Sequence, residues 1–143
     1  LVALGARVAG KRIADVTRVV VVAHSAGFMT ALAVMRRGGL DDLIDRVVLM
    51  DALYDVPSAF FMWLRARPTR SIVSFHTSDP RTTRNNAALA TFARREMPDG
   101  VEVDPTDRVD AIARARLVVS RTDAGHSAVP SRHLAEVIGA RTP

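Results

Sequence analysis

The chain of 143 residues contains no cysteine. Disulfide bonds, thiolate nucleophiles and cysteine-ligated zinc or iron–sulfur sites are therefore excluded. No apolar run is long enough to span a membrane, and the residues after Leu1 do not resemble a signal peptide. Because the absence of cysteine fits a reducing compartment, we expect a cytoplasmic protein with no membrane partner.

Lysine is almost absent as well, since Lys11 is the only one and the other basic residues are arginines. Lys and Arg together number 20 against 15 Asp and Glu, which gives a net charge of +5. The arginines are scattered, and no more than two are adjacent, as at Arg36-Arg37 and Arg94-Arg95. This spacing is typical of solvated helix faces, so no nucleic-acid partner is predicted.

A glycine-rich phosphate loop is also missing. The run Val19–Val22 is followed by Ala23-His24-Ser25-Ala26-Gly27, which fits neither of the glycine fingerprints that cradle nucleotide phosphates. A nucleotide-binding doubly wound domain is therefore disfavoured. We expect the protein to need neither a cofactor nor a metal ion.

Short apolar segments alternate with segments of helical periodicity along the whole chain. Strands are predicted at residues 18–23, 45–50, 71–76 and 116–120, with a short extended piece at 101–103. Helices are predicted at residues 3–14, 27–37, 57–65, 85–95 (capped by Asn85 or Asn86), 107–115 and from Pro130 to about Gly139, and residues 77–84 are predicted to form a polar loop. This alternation predicts one α/β domain over residues 1–143, with a mostly parallel sheet and helices on both of its faces.

The valine run Val19–Val22 shows no alternation of apolar and polar residues, which is typical of a parallel strand buried on both faces. Such a strand needs a neighbour on each side, because an exposed flat edge promotes aggregation. We therefore expect several further strands before Leu1, so that the domain lacks its N-terminal strands here. Alternatively, a partner chain covers this edge.

The segment Ala23-His24-Ser25-Ala26-Gly27 joins that strand to a helix and mounts a serine at the turn between them. A sharp turn of this kind crowds the backbone, so the positions two before and two after the serine must be small, as Ala23 and Gly27 are. The turn also places Ser25 beside a helix N-terminus, where amide groups and the helix dipole favour negative charge. A strand-to-helix elbow is the usual mounting for a hydrolase nucleophile.

A serine nucleophile needs a base, and the chain contains four histidines. His126 follows the last predicted strand in a glycine-containing loop, where its imidazole can reach Ser25, and we predict it to be the base. His24 lies within the elbow and is expected to point away from the serine side chain. His76 is expected to be packed or hydrogen-bonded at a strand end, and His133 to lie on the surface of the final helix.

The base in turn needs an acid to orient it. Asp79 follows the third predicted strand and Asp51 follows the second, so both can project from the carboxyl edge of the sheet. Asp79 is the preferred acid and Asp51 the alternative, although either can instead fill a turn or cap role. Asp55, Asp123 or no acid at all are the remaining options.

The order Ser25, Asp, His126 on a strand, elbow and helix resembles the α/β-hydrolase superfamily, and it matches the C-terminal half of that fold. Ala23–Gly27 resembles the family's nucleophile elbow, with alanine in place of the first glycine. His76-Thr77-Ser78-Asp79-Pro80 is similar to the loop that carries the acid after the seventh strand. Gly125-His126-Ser127 resembles the catalytic histidine loop. An extra helix and strand between Asp79 and His126 depart from the simplest pattern.

The resemblance implies a role for each of these residues. Ser25 would be the nucleophile and His126 the general base and then acid, oriented by Asp79 or Asp51. The backbone N–H of Ala26 would be one oxyanion donor. In the family the second donor comes from a loop upstream of the elbow strand, and the chain contains no such loop.

Aromatic residues are few, with five Phe, one Tyr and one Trp, yet four of them cluster between residues 54 and 63. These are Tyr54, Phe60, Phe61 and Trp63. They are typical of an amphipathic helix that packs on the sheet. In α/β-hydrolases the same segment often lines an acyl pocket, and that interpretation also stays open.

The sequence thus predicts a serine hydrolase, esterase-like, that cleaves small-molecule esters or related acyl compounds. The alternative is an α/β-hydrolase-like binding or scaffold domain without turnover. The upstream oxyanion donor that the chain lacks and the unassigned acid favour this alternative.

Overall fold

The computed structural model describes residues 16–37 and 39–139. Within them a five-stranded sheet is entirely parallel. The strands are β1 (Val19–His24), β2 (Ile44–Met50), β3 (Ser71–His76), β4 (Val101–Val103) and β5 (Leu117–Arg121). The helices are α1 (Phe28–Arg36), α2 (Pro57–Arg65), α3 (Pro80–Glu96), α4 (Arg108–Arg114) and α5 (Val129–Gly139), with short 3₁₀ turns at Ser25–Gly27, Pro98–Gly100 and His126–Ala128. The predicted helix at residues 3–14 lies outside the described residues.

The predicted α/β class is confirmed, because the parallel sheet carries helices on both faces. Along β2, Val47 and Leu49 pack in one hydrophobic cluster while Val48 and Met50 pack in the other. Helices α1, α2 and α3 contribute to the first cluster, and α4 and α5 to the second. Both faces of the central strands are covered, and this is why they appear in the sequence as unbroken apolar runs.

The order of strands in the sheet is β1-β2-β3-β5-β4. The chain therefore moves in one direction from β1 to β4 and then turns back to form β5. Since parallel crossovers are right-handed, the helix after β4 lies on the face opposite to the helices before it. The neighbouring strands β3 and β5 are followed by helices on opposite faces, which opens a crevice at their carboxyl ends.

Strand β1 departs from the prediction. Val19 and Val21 pack against the first cluster and Ala23 is buried, but Val20 and Val22 are 43% and 46% exposed. The predicted burial on both faces is therefore wrong for this strand within the described part of the chain, because no described helix covers Val20 and Val22. Among the described strands β1 pairs only with β2. The expectation that further strands or a partner cover this edge stays a prediction.

Helix α3 begins five residues earlier than predicted. Asp79 caps it, since its Oδ1 accepts hydrogen bonds from two backbone N–H groups of the first turn, and Pro80 occupies the first helical position. The predicted loop at 77–84 is therefore wrong from Pro80 onward, and the predicted cap at Asn85 or Asn86 is wrong. Both asparagines lie buried inside the helix. An aspartate followed by proline is the stronger helix start, because proline fixes the helical φ angle and lacks the N–H that would need a partner.

The aromatic segment packs as an amphipathic helix. Phe60, Phe61 and Trp63 of α2 are buried in the first cluster, whereas Met62 between them is exposed. Tyr54 precedes the helix and is only half-buried. The helix-packing interpretation is confirmed for the three buried aromatics, and Tyr54 alone lies at the carboxyl edge of the sheet.

No helix within the described residues is both long enough and apolar enough to cross a membrane.

Candidate active site

Ser25 lies at the junction between β1 and α1. Its φ angle is +55°, which lies in the left-handed region that residues other than glycine rarely adopt. A 3₁₀ turn at Ser25–Gly27 runs directly into α1. A Cβ atom placed on Gly27 would lie 3.7 Å from the Cβ of Ala23, so the turn leaves room for small side chains there. A strained backbone at a serine is an observation that points to function rather than stability.

The register of the sheet brings Ser25 and Asp51 to the same edge. His24 is paired with Met50 between β1 and β2, so Ser25 and Asp51 each follow directly after a paired position. Adjacent strands lie about 4.8 Å apart. Asp51 is 1% exposed, and its φ angle of +46° is also in the left-handed region.

His126 forms a hydrogen bond to Asp51, with its Nδ1 donating to Oδ2 at 2.7 Å. Asp51 is the alternative acid of the sequence prediction. The structure does not bring the preferred residue, Asp79, to His126, because the Asp79 carboxylate is used to cap α3. Both residues follow strands at the same edge, but only Asp51 follows the strand next to β1.

Two threonines complete the hydrogen-bond set of the Asp51 carboxylate. Thr77 donates its backbone N–H to Oδ1 at 3.0 Å and its hydroxyl to Oδ2 at 3.0 Å. Thr82 donates its hydroxyl to Oδ1 at 3.1 Å. Burial alone would raise the pKa of Asp51, but the hydrogen bonds from His126, Thr77 and Thr82 together lower that pKa below its usual range. The carboxylate is therefore ionised at neutral pH and can hold His126 with its Nε2 free to act as a base.

His24 contacts the histidine loop, which the sequence reasoning missed. Its Nε2 donates to the backbone oxygen of His126 at 3.0 Å, and the two rings lie 4.6 Å apart. We expected His24 to point away from the serine side chain. The signal in the sequence for this contact is the position of His24 at the carboxyl end of β1, because this end meets the loop that follows β5.

Ser25 and His126 line neighbouring cavities. Ser25 lies in a cavity of about 580 Å³, the Ser25 cavity. Tyr54, Arg81 and Arg84 also line this cavity. His126 lies in a cavity of about 800 Å³ over the ends of β3 and β5. The ring of Tyr54 is 6.3 Å from that of His126. No hydrogen bond joins Ser25 to His126 among the described residues, and in unliganded enzymes this bond is often long until substrate binds.

His133 is buried, and the prediction of a surface histidine is wrong. It is 1% exposed, because α5 packs it flat on Phe75 with ring centroids 4.4 Å apart. Its Nδ1 bonds Glu136 Oε1 at 2.9 Å and its Nε2 bonds the Thr122 hydroxyl at 2.8 Å. Thr122 also accepts the N–H of Ala124 at 3.1 Å. This buried network therefore anchors the start of the loop that carries His126.

Replacing His133 by leucine is expected to lower the free energy of unfolding by about 2–4 kcal/mol, because Thr122 and Glu136 then lose a buried partner. Urea unfolding at neutral pH measures the change. Arg132→Gln is the control on the same helix; Arg132 is exposed, and its loss is expected to cost less than about 0.5 kcal/mol. Equal stability of His133→Leu and the unsubstituted protein would contradict an anchoring role.

The other candidate residues lie elsewhere. His76 is buried at the end of β3, where its Nδ1 donates to the backbone oxygen of Thr77 at 2.9 Å, as expected. Asp55 accepts the N–H of Val56 at 2.7 Å. Asp123 pairs with Arg132 at 3.1 Å on the surface.

Ala26 follows the serine in the 3₁₀ turn that leads into α1. The first N–H groups of a helical segment have no acceptor within the helix, so they are available to a developing negative charge. Ala26 also lines the Ser25 cavity.

No protein-family model, curated protein or solved structure matches this chain. Within residues 16–37 and 39–139, no group of His, Asp and Glu side chains is arranged to hold a metal ion.

Proposed function

We propose that the protein is a serine hydrolase of the α/β-hydrolase type, esterase-like, that acts on small-molecule esters or related acyl compounds. The observation that carries the proposal is the 2.7 Å bond between His126 Nδ1 and the buried Asp51 carboxylate, formed at the sheet edge where the strained Ser25 lies. An ionised, buried carboxylate that orients a loop imidazole, at the same sheet edge as a strained serine, supports acyl transfer by Ser25.

In the proposed reaction Ser25 Oγ attacks the acyl carbon while its proton passes to Nε2 of His126. The carbonyl electron pair moves onto oxygen, and the N–H of Ala26 donates a hydrogen bond to that oxyanion. The bond to the leaving group then breaks as His126 returns the proton to the departing oxygen. Water repeats the sequence, with His126 as base, and releases the acid from Ser25. Asp51 stays ionised throughout and stabilises the imidazolium.

Covalent labelling with a fluorophosphonate probe tests the proposal directly. The probe reacts with an activated serine, so we expect mass spectrometry to find one adduct, on Ser25, with fluoride lost. Ser25→Ala is expected to abolish labelling, whereas Ser58→Ala, at an exposed serine of α2, is expected to leave it unchanged. Labelling that persists in Ser25→Ala, or no labelling of a folded protein, would reject the hydrolase function.

A second candidate is a binding or scaffold domain of the same architecture without turnover. It is favoured by one observation, the lack of a hydrogen bond between Ser25 and His126 among the described residues. The two candidates differ in the labelling experiment, because a domain without an activated serine gives no adduct at Ser25.

A further inference from the structure

Two arginines line the Ser25 cavity from the start of α3. Arg81 and Arg84 are three residues apart, so they extend from the same face of the helix. Both are exposed. Within the described part of the chain, neither forms an ion pair or a side-chain hydrogen bond. Asp55 also lines this cavity, and its Oδ1 is occupied by the N–H of Val56.

Several other arginines of this protein are paired with carboxylates. Arg65, Arg70, Arg108 and Arg114 form ion pairs with Glu96, Asp41, Glu136 and Asp110, respectively. The charges of Arg81 and Arg84 are not compensated in this way by any described residue. The two guanidinium groups outnumber the one carboxylate in the lining, that of Asp55, so the cavity has a positive potential that attracts anions.

The position of Arg81 also argues against a role in helix stability. It lies in the first turn of α3, which contains no acidic residue. The N-terminal end of a helix carries partial positive charge, so a cation there is unfavourable. The favourable location is the last turn, where this helix has Arg94 and Arg95.

Phe28, Met29 and Tyr54 form an apolar part of the cavity wall. Tyr54 and Phe28 lie with their ring centroids 6.4 Å apart, and Met29 is 61% exposed. The Ser25 cavity therefore combines a nucleophile position, an apolar wall and two guanidinium groups. Guanidinium groups bind carboxylate and phosphate oxygens through charge-assisted hydrogen bonds.

We propose that the substrate is an anionic ester, with a carboxylate or phosphate group that Arg81 and Arg84 bind while the acyl carbon lies at Ser25. This inference rests on the serine-hydrolase function proposed above. The apolar wall accommodates the carbon chain that separates the ester from the anionic group.

The test compares two esters that differ in charge at similar length: mono-p-nitrophenyl glutarate, which ends in a carboxylate, and p-nitrophenyl pentanoate, which ends in a methyl group. We expect kcat/KM for the anionic ester to be at least about 10-fold higher, and the ratio to fall as sodium chloride is added. Arg81→Gln and Arg84→Gln are each expected to lower kcat/KM for the anionic ester by about 10-fold more than for the neutral one. Inhibition by free glutarate and by inorganic phosphate, at constant ionic strength, distinguishes a carboxylate from a phosphate ligand.

Arg95→Gln is the matched control, because it removes the same charge from an exposed position at the other end of the same helix. This substitution is expected to leave kcat/KM unchanged for both esters. The melting temperature of Arg81→Gln is expected to equal or exceed that of the unsubstituted protein, which separates a binding effect from misfolding. Ser25-dependent turnover of both esters without a charge preference would overturn the inference alone. Absence of Ser25-dependent turnover of either ester would overturn the hydrolase function, and the inference with it.

Discussion

Replacing Asp51 by asparagine is expected to lower kcat for ester hydrolysis by about 10³–10⁴-fold. The amide of asparagine can donate where the carboxylate accepts, so His126 no longer has an acceptor for its Nδ1 proton and takes the wrong tautomer. The backbone change is small, because asparagine tolerates the left-handed conformation that Asp51 adopts, with φ at +46°. Steady-state kinetics with a p-nitrophenyl ester, compared with the unsubstituted protein, measure the loss.

Asp79→Asn is the matched control for this substitution. Asparagine caps helices about as well as aspartate, so α3 keeps its first turn and kcat is expected to change by less than about threefold. The opposite result, with activity lost in Asp79→Asn and kept in Asp51→Asn, would show that Asp79 is the acid and that Asp51 serves only the fold.

The pH dependence of stability provides a second readout for Asp51. Its pKa is lower in the folded state than in the unfolded chain, so it contributes stability above the unfolded-state pKa. That contribution is lost as the pH falls through the folded-state pKa. Asp51→Asn is therefore expected to show a weaker dependence of unfolding free energy on pH across this acidic range, whether or not the protein is an enzyme.

Replacing Ser25 is expected to separate activity from stability. Ser25→Ala and Ser25→Gly should both lower kcat by at least about 10³-fold, because each removes the attacking oxygen. Their stabilities should differ. Alanine keeps a side chain at φ +55°, whereas glycine relieves about 1–2 kcal/mol of strain and costs about 0.5–1 kcal/mol of backbone entropy. The free energy of unfolding of Ser25→Gly is thus expected to be about 0.5–1 kcal/mol higher than that of Ser25→Ala, so the glycine variant is the more stable one.

The same pair of substitutions at Ser58 should give the opposite order. Ser58 lies in α2, where glycine is less stable than alanine by about 1 kcal/mol. Urea unfolding of the four variants measures both differences. If glycine is also the less stable choice at position 25, then the elbow stores no strain, and the positive φ of Ser25 has no energetic consequence.

The main features of the fold could be predicted from local patterns. Unbroken apolar runs marked the central strands, and the alternation with helices indicated a parallel sheet. The start of α3 was also encoded locally, in Asp79-Pro80, although the polar residues that follow are equally typical of a loop. The exposed face of a helix start has the same composition as a loop, so composition does not distinguish them.

The candidate site was only partly encoded in this way. Ser25 could be recognised because the small residues and the helix after it are neighbours in the sequence. His126 could be recognised because it follows the last strand. Sequence patterns favour Asp79 as the acid, whereas His126 bonds Asp51. Both residues follow strands whose carboxyl ends meet at one edge, so local patterns do not separate them.

The sequence by itself determined the features that depend on residues a few positions apart. These are the parallel α/β architecture, the serine at the elbow and the histidine in its loop. The tertiary structure alone decided which carboxylate meets His126, that His24 holds the histidine loop, and that His133 is buried against Phe75. These contacts join residues separated by 58 to 102 positions. They depend on strand order and helix docking, which are set by the packing of the whole domain rather than by any local pattern.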